Sequence, residues 1–233
     1  MFAFFCHCLY NLGMSKNYTD IDKAVPGLGK EYRYGTLEKR DLSGNPFTQF
    51  GRWLEEAVKA KAAKPEAMVL STVSASGAPS SRVLLLKGFN KDGFLFYTNY
   101  ASPKGRDLAK NPQAAMLFFW PEQERQVRLT GRVQKISQAE SEKYFRRRSE
   151  EAQIAAWASA QSEVIADRKA LEERQEKLLN KFDGKPVPRP ASWGGYRLKP
   201  ATFEFWQGRE HRLNDRFRYR KTKGRWVIER LQP

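Results

Sequence analysis

Between Ala67 and Ser137 the chain passes through five apolar stretches of strand length, separated only by turn-forming residues and one short helical stretch, before any long helix can begin. Ala67 to Val73 reads as a strand, Ala75 to Pro79 as a turn, and Ser81 to Lys87 as a second strand. The turn Asn90-Lys91-Asp92-Gly93 then leads to a third, Phe94 to Asn99, so this region is predicted to be an antiparallel hairpin unit. Ser102-Pro103-Lys104 is a helix start with proline at the first helical position, ending near Asn111-Pro112. Strands over Ala114 to Trp120 and Arg125 to Ser137 follow, the second alternating Val127, Leu129, Gly131 and Val133 against Arg128, Thr130 and Arg132. Further β content is expected over Tyr196 to Leu198, Thr202 to Trp206, Arg216 to Arg220 and Trp226 to Arg230. Helices are expected from Pro46 to about Ala62, with Phe47, Phe50, Trp53, Leu54 and Val58 near one face, and over Gln138 to Arg148, Glu151 to Ala160 and Glu163 to Phe182. In the last of these Val164, Ile165, Leu171, Leu178 and Phe182 mark the apolar stripe. Such a pattern predicts a mainly β barrel with helices, and no glycine-rich dinucleotide fingerprint is present.

The 233 residues suffice for one sizeable domain or at most two small ones, and 40% hydrophobic with 13% aromatic content supplies a core. No apolar run approaches the roughly 20 residues that cross a bilayer, so no membrane partner is expected. Cys6 and Cys8, the only cysteines, lie too close together and too near the terminus to staple a fold, which suits a reducing, cytoplasmic setting. Residues 1–13 are apolar but lack the basic start and cleavage site of a secretory signal, and Met14-Ser15-Lys16 reads as an ordinary protein start. We therefore expect residues 1–44 to be a leader and N-terminal arm, partly disordered, and 45–233 to be one domain. The net charge of +16 raises the question of nucleic acid. Its cations are spread along the chain and mixed with acids in Glu163 to Phe182, so no specific nucleic-acid partner is expected; the excess suits anionic ligands, solubility or weak RNA affinity.

The densest chemistry lies in Phe203-Glu204-Phe205-Trp206-Gln207-Gly208-Arg209-Glu210-His211-Arg212-Leu213-Asn214-Asp215-Arg216. Phe203 and Phe205 alternate with Glu204 as in a half-buried strand. Past the turn, Arg212, Asn214 and Arg216 would share one face of an extended chain. An indole beside guanidinium forks suits a planar ligand carrying phosphate or carboxylate. Arg82 and Lys87 bracket an apolar strand at odd spacing, which points them oppositely unless a bulge intervenes. Read alone, they are either solvent-facing charges at strand ends or a functional pair.

The signature stretch resembles that of the pyridoxamine 5′-phosphate oxidase family, in which an aromatic-Glu-aromatic-Trp-Gln run precedes Arg-Leu-His-Asp-Arg. Asn214 stands here in place of the histidine, and the resemblance spans roughly residues 30 to 233. It implies an FMN-binding split β-barrel and a homodimer with the flavins at the subunit interface. It further implies oxidation of pyridoxamine 5′-phosphate and pyridoxine 5′-phosphate by O2 to pyridoxal 5′-phosphate, with release of hydrogen peroxide and, from the amine, ammonia.

Carried over by position, the resemblance places Arg82 on the FMN phosphate, the strand Val83, Leu84, Leu85 and Leu86 along the flavin ring, and Lys87 at both flavin and substrate. Tyr97, Thr98, Ser102 and Lys104 match further cofactor contacts, and a helix start at Ser102 favours an anion in any case. Gln126, Gln161, Ser162, Trp206 and Arg216 match the remaining flavin contacts. Tyr144 and Arg148, four apart on one helix face, resemble with Lys87 a clamp for the substrate phosphate. Tyr32 matches a residue at the mouth of the site, and Arg212 and Asn214 match the catalytic pair over the pyridine ring. No metal site is implied, and no strong general base is evident. Departures fall at Pro103, Ala152, Gly29 and Lys64 as well as Asn214. They leave the flavin contacts nearly intact and alter the substrate side, with Asn214 expected to slow turnover but permit it. A related FMN oxidase with another substrate, such as those of phenazine biosynthesis, is the alternative, followed by a non-catalytic carrier of FMN or pyridoxal phosphate.

Overall fold

The structure, a computed structural model, describes residues 32, 33 and 35–233. The readings made on Cys6, Cys8, residues 1–13 and Gly29 lie outside the described residues. Nine strands form one antiparallel sheet: β1 Ala67–Val73, β2 Pro79–Leu85, β3 Gly88–Asn90, β4 Gly93–Asn99, β5 Gln113–Trp120, β6 Arg125–Lys135, β7 Trp193–Gln207, β8 Asp215–Thr222 and β9 Arg225–Leu231. Five helices accompany them: α1 Pro46–Lys59, α2 Pro103–Lys110, α3 Gln138–Phe145, α4 Glu150–Ala158 and α5 Arg168–Phe182. Neighbouring strands run β2-β1-β5-β6-β7-β4-β3, and β8 and β9 extend the sheet from β7. The expected barrel-like, mainly β architecture is therefore present.

β7 is the spine. One edge pairs with β6 throughout, while the other pairs with β4 from Trp193 to Leu198 and with β8 from Thr202 to Gln207. The change of partner coincides with Pro200, which has no N–H to give a ladder. Opposite it the register with β6 slips between Thr130 and Gly131, leaving Ala201 unpaired as a bulge residue. Gly131 is required there, because a Cβ would sit 2.1 Å from the Lys199 carbonyl oxygen. The two separate strands expected over Tyr196 to Leu198 and Thr202 to Trp206 are thus halves of one continuous strand bent at a bulge.

α1 fills the interior. Asn45 caps it by accepting from Phe47 N, and its apolar face buries Phe50, Trp53 and Ala57. Phe50 meets Phe89 of β3, Phe94 of β4 and Phe118 of β5 edge-on, and Trp53 meets Phe205 of β7, so the sheet wraps the helix. Val58, expected on that face, is exposed. A second core, Phe145, Ile154, Phe182, Val187 and Trp193, lies where α3, α4 and α5 meet the start of β7.

One further sequence expectation is corrected. The last helix begins at Arg168 rather than Glu163, because the Asp167 side chain accepts from Ala170 N and caps it there. Val164 and Ile165 therefore lie in the preceding loop and are exposed. The described end of the N-terminal arm is held in place: Leu37 is buried, its N–H bonds to Asp215, and the Arg33 N–H bonds to Glu124.

Phe50 is fully buried among aromatic rings from three strands. Phe50→Ala is expected to cost about 3 to 5 kcal/mol of stability, read as a shift of the urea unfolding midpoint at constant slope.

Candidate functional site

Two cations come together at the start of α2. Ser102 caps that helix, its Oγ accepting from Gly105 N at 3.4 Å while donating to the Asn99 carbonyl at 2.7 Å. Proline occupies the first helical position, and the buried Lys104 Nζ donates to Ser102 Oγ at 3.1 Å and to Gln161 Oε1 at 2.6 Å. Thr98, at the end of β4, donates to the same Gln161 oxygen at 3.0 Å. Arg82 of β2 lies close enough that its charge, added to burial, pushes the Lys104 amine down to about 8. Burial lowers the Arg82 guanidinium as well. The hydrogen bonds of Lys104 go to neutral oxygens, and no acid forms an ion pair with either cation among the described residues. Two partly desolvated cations facing neutral acceptors beside a helix N-terminus are suited to a dianionic phosphate.

Tyr97, next to Thr98, points the other way, as adjacent strand residues must. Its ring stacks on Tyr144 of α3 at 3.9 Å between centroids and on Trp193 of β7 at 5.2 Å, and burial with Tyr144 beside it pushes its hydroxyl up to about 12. Arg148, just beyond α3, lies over the Trp193 ring at 4.7 Å. Its Nη1 is buried without a hydrogen-bond partner, and burial lowers its pKa. Such an orphaned guanidinium nitrogen fits a ligand oxygen. The helix expected to run to Arg148 ends at Phe145, so Tyr144 and Arg148 do not share a helix face; they come together at the Trp193 ring, which Tyr144 stacks on at 6.3 Å, and Tyr97 joins them by its ring.

A second group lies across β6, β7 and β8, where the register sets Gln126 beside Trp206 and Trp206 beside Arg216. Arg216 donates through Nε and Nη2 to Glu204 Oε1 at 2.9 and 2.7 Å and through Nη1 to the Gln232 carbonyl. Arg128 also pairs with Glu204, which explains why an acid on the outward side of its strand is nearly buried. Tyr32 meets Trp206 edge-on at 5.2 Å.

The loop after β7 corrects one expectation. Glu210–Arg212 forms a 3-10 turn, with His211 at φ 57° and Arg212 at φ 60°, so Arg212, Asn214 and Arg216 do not share a face of an extended chain. Asn214 Oδ1 accepts from Arg209 N at 3.0 Å and Nδ2 donates to the Arg212 carbonyl at 3.0 Å, which holds the turn. Buried Asp215 accepts from Leu37 N, Arg209 Nη1 and Arg230 Nη1; these bonds overcome the opposing effect of burial and keep its carboxyl below the usual range. A cavity of about 640 Å³ opens between this loop and the arm, lined by Tyr32, Arg33, Thr36, Arg209, His211 and Leu213.

Lys87 is exposed and lies two residues beyond the end of β2, where its N–H donates to the Leu95 carbonyl of β4. Between Arg82 and Lys87, Val83 and Leu85 face outward while Leu84 and Leu86 face in. β2 pairs only with β1, so its outer backbone edge is unused by the sheet. Ser162 is exposed at φ 72°, beside Gln161. Trp193, Glu204 and Asp215 are part of these constellations without having been selected from the sequence as site residues; an acid between two phenylalanines, two residues before a tryptophan, was the available signal for Glu204.

A family model described as Pyridoxamine 5′-phosphate oxidase matches residues 54–182, and one described as Pyridoxine 5′-phosphate oxidase C-terminal dimerisation region matches residues 193–233. The chain is 49% identical over 210 residues to a pyridoxine/pyridoxamine 5′-phosphate oxidase of Acaryochloris marina, covering 90% of this chain and 96% of that one. It is 51% identical over 207 residues to one of Cupriavidus necator, covering 88% and 97%. Among solved structures, PhzG from Burkholderia lata 383, in complex with tetrahydrophenazine-1-carboxylic acid, superposes with a TM-score of 0.81 at 33% identity over 86% of this chain and 99% of that one. A pyridoxamine 5′-phosphate oxidase-related, FMN binding protein of Nostoc punctiforme shares the fold, with a TM-score of 0.66 at 20% identity over 82% and 100%.

Lys104 binds its proton more weakly folded, at about 8, than at its ordinary 10.5. Between those values the unfolded chain holds more protons, so its contribution to stability rises with pH. Urea unfolding of the ligand-free protein at pH 7.5 and pH 10 is expected to show a gain that Lys104→Met reduces.

Proposed function

The chain belongs to the pyridoxamine 5′-phosphate oxidase family, and on that footing we propose how its residues divide the site between two copies of the chain. It is an FMN-dependent oxidase forming pyridoxal 5′-phosphate from pyridoxamine 5′-phosphate and pyridoxine 5′-phosphate, and it acts as a homodimer. Among the described residues no helix is long and apolar enough to cross a membrane; the cytoplasmic setting rests on cysteine usage alone.

The observation that carries the assignment of roles is a pair of cationic clusters flanked by adjacent residues, Thr98 for one and Tyr97 for the other. Arg82, Ser102, Lys104, Thr98 and Gln161 hold the FMN phosphate, with Ser162 beside them and the free backbone edge of Val83 to Leu86 along the flavin ring. Arg148 and Tyr144 hold the substrate phosphate, and exposed Lys87 reaches it from the end of β2. Ala152 offers no hydroxyl there, and Pro103 no charge, so both phosphates rest on fewer contacts than the family pattern supplies.

Gln126, Trp206 and Arg216 come from the second copy. Thr98 pairs with Gly194, and Trp206 lies twelve residues further along β7, roughly 40 Å of extended chain. The two groups thus lie near opposite ends of β7, which supports a flavin lying between protomers. An outward apolar row, Val83, Val69 and Leu117 across β2, β1 and β5, with Leu85 and Phe119 nearby, suits burial against the partner.

The cofactor supplies acceptance of a hydride from the substrate carbon and its passage to O2 as peroxide. This chain's residues bind and orient. Arg212 covers the pyridine ring and keeps the reacting carbon in place, while Asn214 holds the turn that presents Arg212. Tyr32, with Arg33 and Thr36, narrows the mouth and limits water.

In an aerobic assay of FMN-supplemented protein, both phosphorylated substrates are expected to give pyridoxal 5′-phosphate and peroxide in equal amounts. Bound flavin with no turnover of either would shift the assignment to a phenazine-type substrate. Arg148→Met is expected to raise the KM for pyridoxine 5′-phosphate about ten- to a hundred-fold, as loss of a hydrogen-bonded charge does, with FMN affinity unchanged.

A further inference from the structure

We infer that Thr72 and Asp107, which touch neither ligand in the arrangement above, are positioning residues that aim the Arg82 guanidinium at the cofactor phosphate. The inference rests on the reading that the Arg82 and Lys104 cluster receives that phosphate.

Thr72 is fully buried near the end of β1, paired with Ser80 of β2 and Ala114 of β5. Its Oγ1 lies 2.8 Å from Asp107 Oδ2 and 2.8 Å from Arg82 Nη1. A carboxylate only accepts and a guanidinium only donates, so the polarity of this chain is fixed. The threonine hydrogen goes to Asp107, and a lone pair is thereby turned toward Arg82. The other Nη1 hydrogen meets the Leu70 carbonyl at 3.2 Å, and Nη2 meets Ser80 Oγ at 2.7 Å. The guanidinium is therefore held by three oxygens, all of them neutral.

Interposing a hydroxyl matters because of what it avoids. A carboxylate bonded directly to Arg82 would occupy its fork and cancel the charge that an incoming anion needs. Through Thr72, Asp107 fixes orientation while forming no ion pair with Arg82, although its field still favours the charged guanidinium. Asp107 belongs to α2, the helix whose first turn carries Lys104. The relay therefore ties the β2 cation to the element that carries the second cation, and holds in register two like charges that repel.

The test compares FMN with riboflavin, which lacks the phosphate, by quenching of flavin fluorescence on the apoprotein, with Tm followed in parallel. Thr72→Val is expected to weaken FMN binding about ten-fold, the scale of one hydrogen bond to a charged group, and to leave riboflavin binding unchanged. Thr72→Ser should restore the preference for FMN. Asp107→Asn, at a less buried position that tolerates change, should narrow the preference in the same direction and serves if the valine variant does not fold. Equal loss of both flavins, or an unchanged ratio in both variants, overturns the relay. Arg82→Met separates the two ideas: if it narrows the ratio while Thr72→Val and Asp107→Asn do not, the phosphate cluster stands and the relay falls. If Arg82→Met leaves the ratio unchanged, the phosphate assignment itself falls.

Discussion

The structure depends on one strand that changes partner halfway. β7 keeps β6 on one edge and passes from β4 to β8 on the other, at a proline that cannot donate and a bulge that absorbs the slip. Without that change β4 and β8 would compete for the same edge, and the sheet would either end at β7 or lose a branch. With it, Trp193 at one end of β7 backs the Tyr97, Tyr144 and Arg148 group, and Trp206 at the other end stands between Gln126 and Arg216. A single strand thus carries both groups, one near each end.

Charge is distributed with the same logic. An excess of cations is tolerable at an exposed surface, where water screens it, but Arg82, Lys104 and Arg148 are at least partly withdrawn from water and are met by neutral oxygens or aromatic faces. Elsewhere buried acids have firm partners. Glu204 holds Arg128 and Arg216, and Asp215 holds Arg209 and Arg230 together with the backbone of the arm. Among the described residues, the acids that organise the fold thereby form no ion pair with Arg82, Lys104 or Arg148. The Arg82 charge and burial together lower the affinity of Lys104 for its proton, the mark of two like charges held close together.

Asn214 illustrates how a family position can change its work. A histidine there would offer a titratable ring; the asparagine amide instead bridges Arg209 N and the Arg212 carbonyl across a turn with two consecutive left-handed residues. Left-handed backbone is disfavoured for side chains of this size, so a short side chain that bonds both ends of the turn is well placed to hold it. The substitution is thus tied to the shape of the loop that presents Arg212.

Much of this was legible in the sequence. Alternation located nearly every strand, Asn45-Pro46 and Ser102-Pro103 marked two helix starts, and the order of Arg82, Lys104, Tyr144, Trp206 and Arg216 carried the family resemblance, because these signals are local and repeat with the period of the element. Helix boundaries near Val164 and the face shared by Arg212, Asn214 and Arg216 were misjudged, since a capping aspartate and a left-handed turn outweighed periodicity. Which distant residues meet was settled only by register and closure of the sheet. Gln161 lies beside Lys104 and Leu37 on Asp215 because segments far apart in sequence are brought together by the packing of the whole chain. The sequence determined the elements and the chemical groups they carry; the tertiary structure decided which cations are left facing neutral oxygens and hence where an anion can bind, because burial and partnership are properties of neighbours in space.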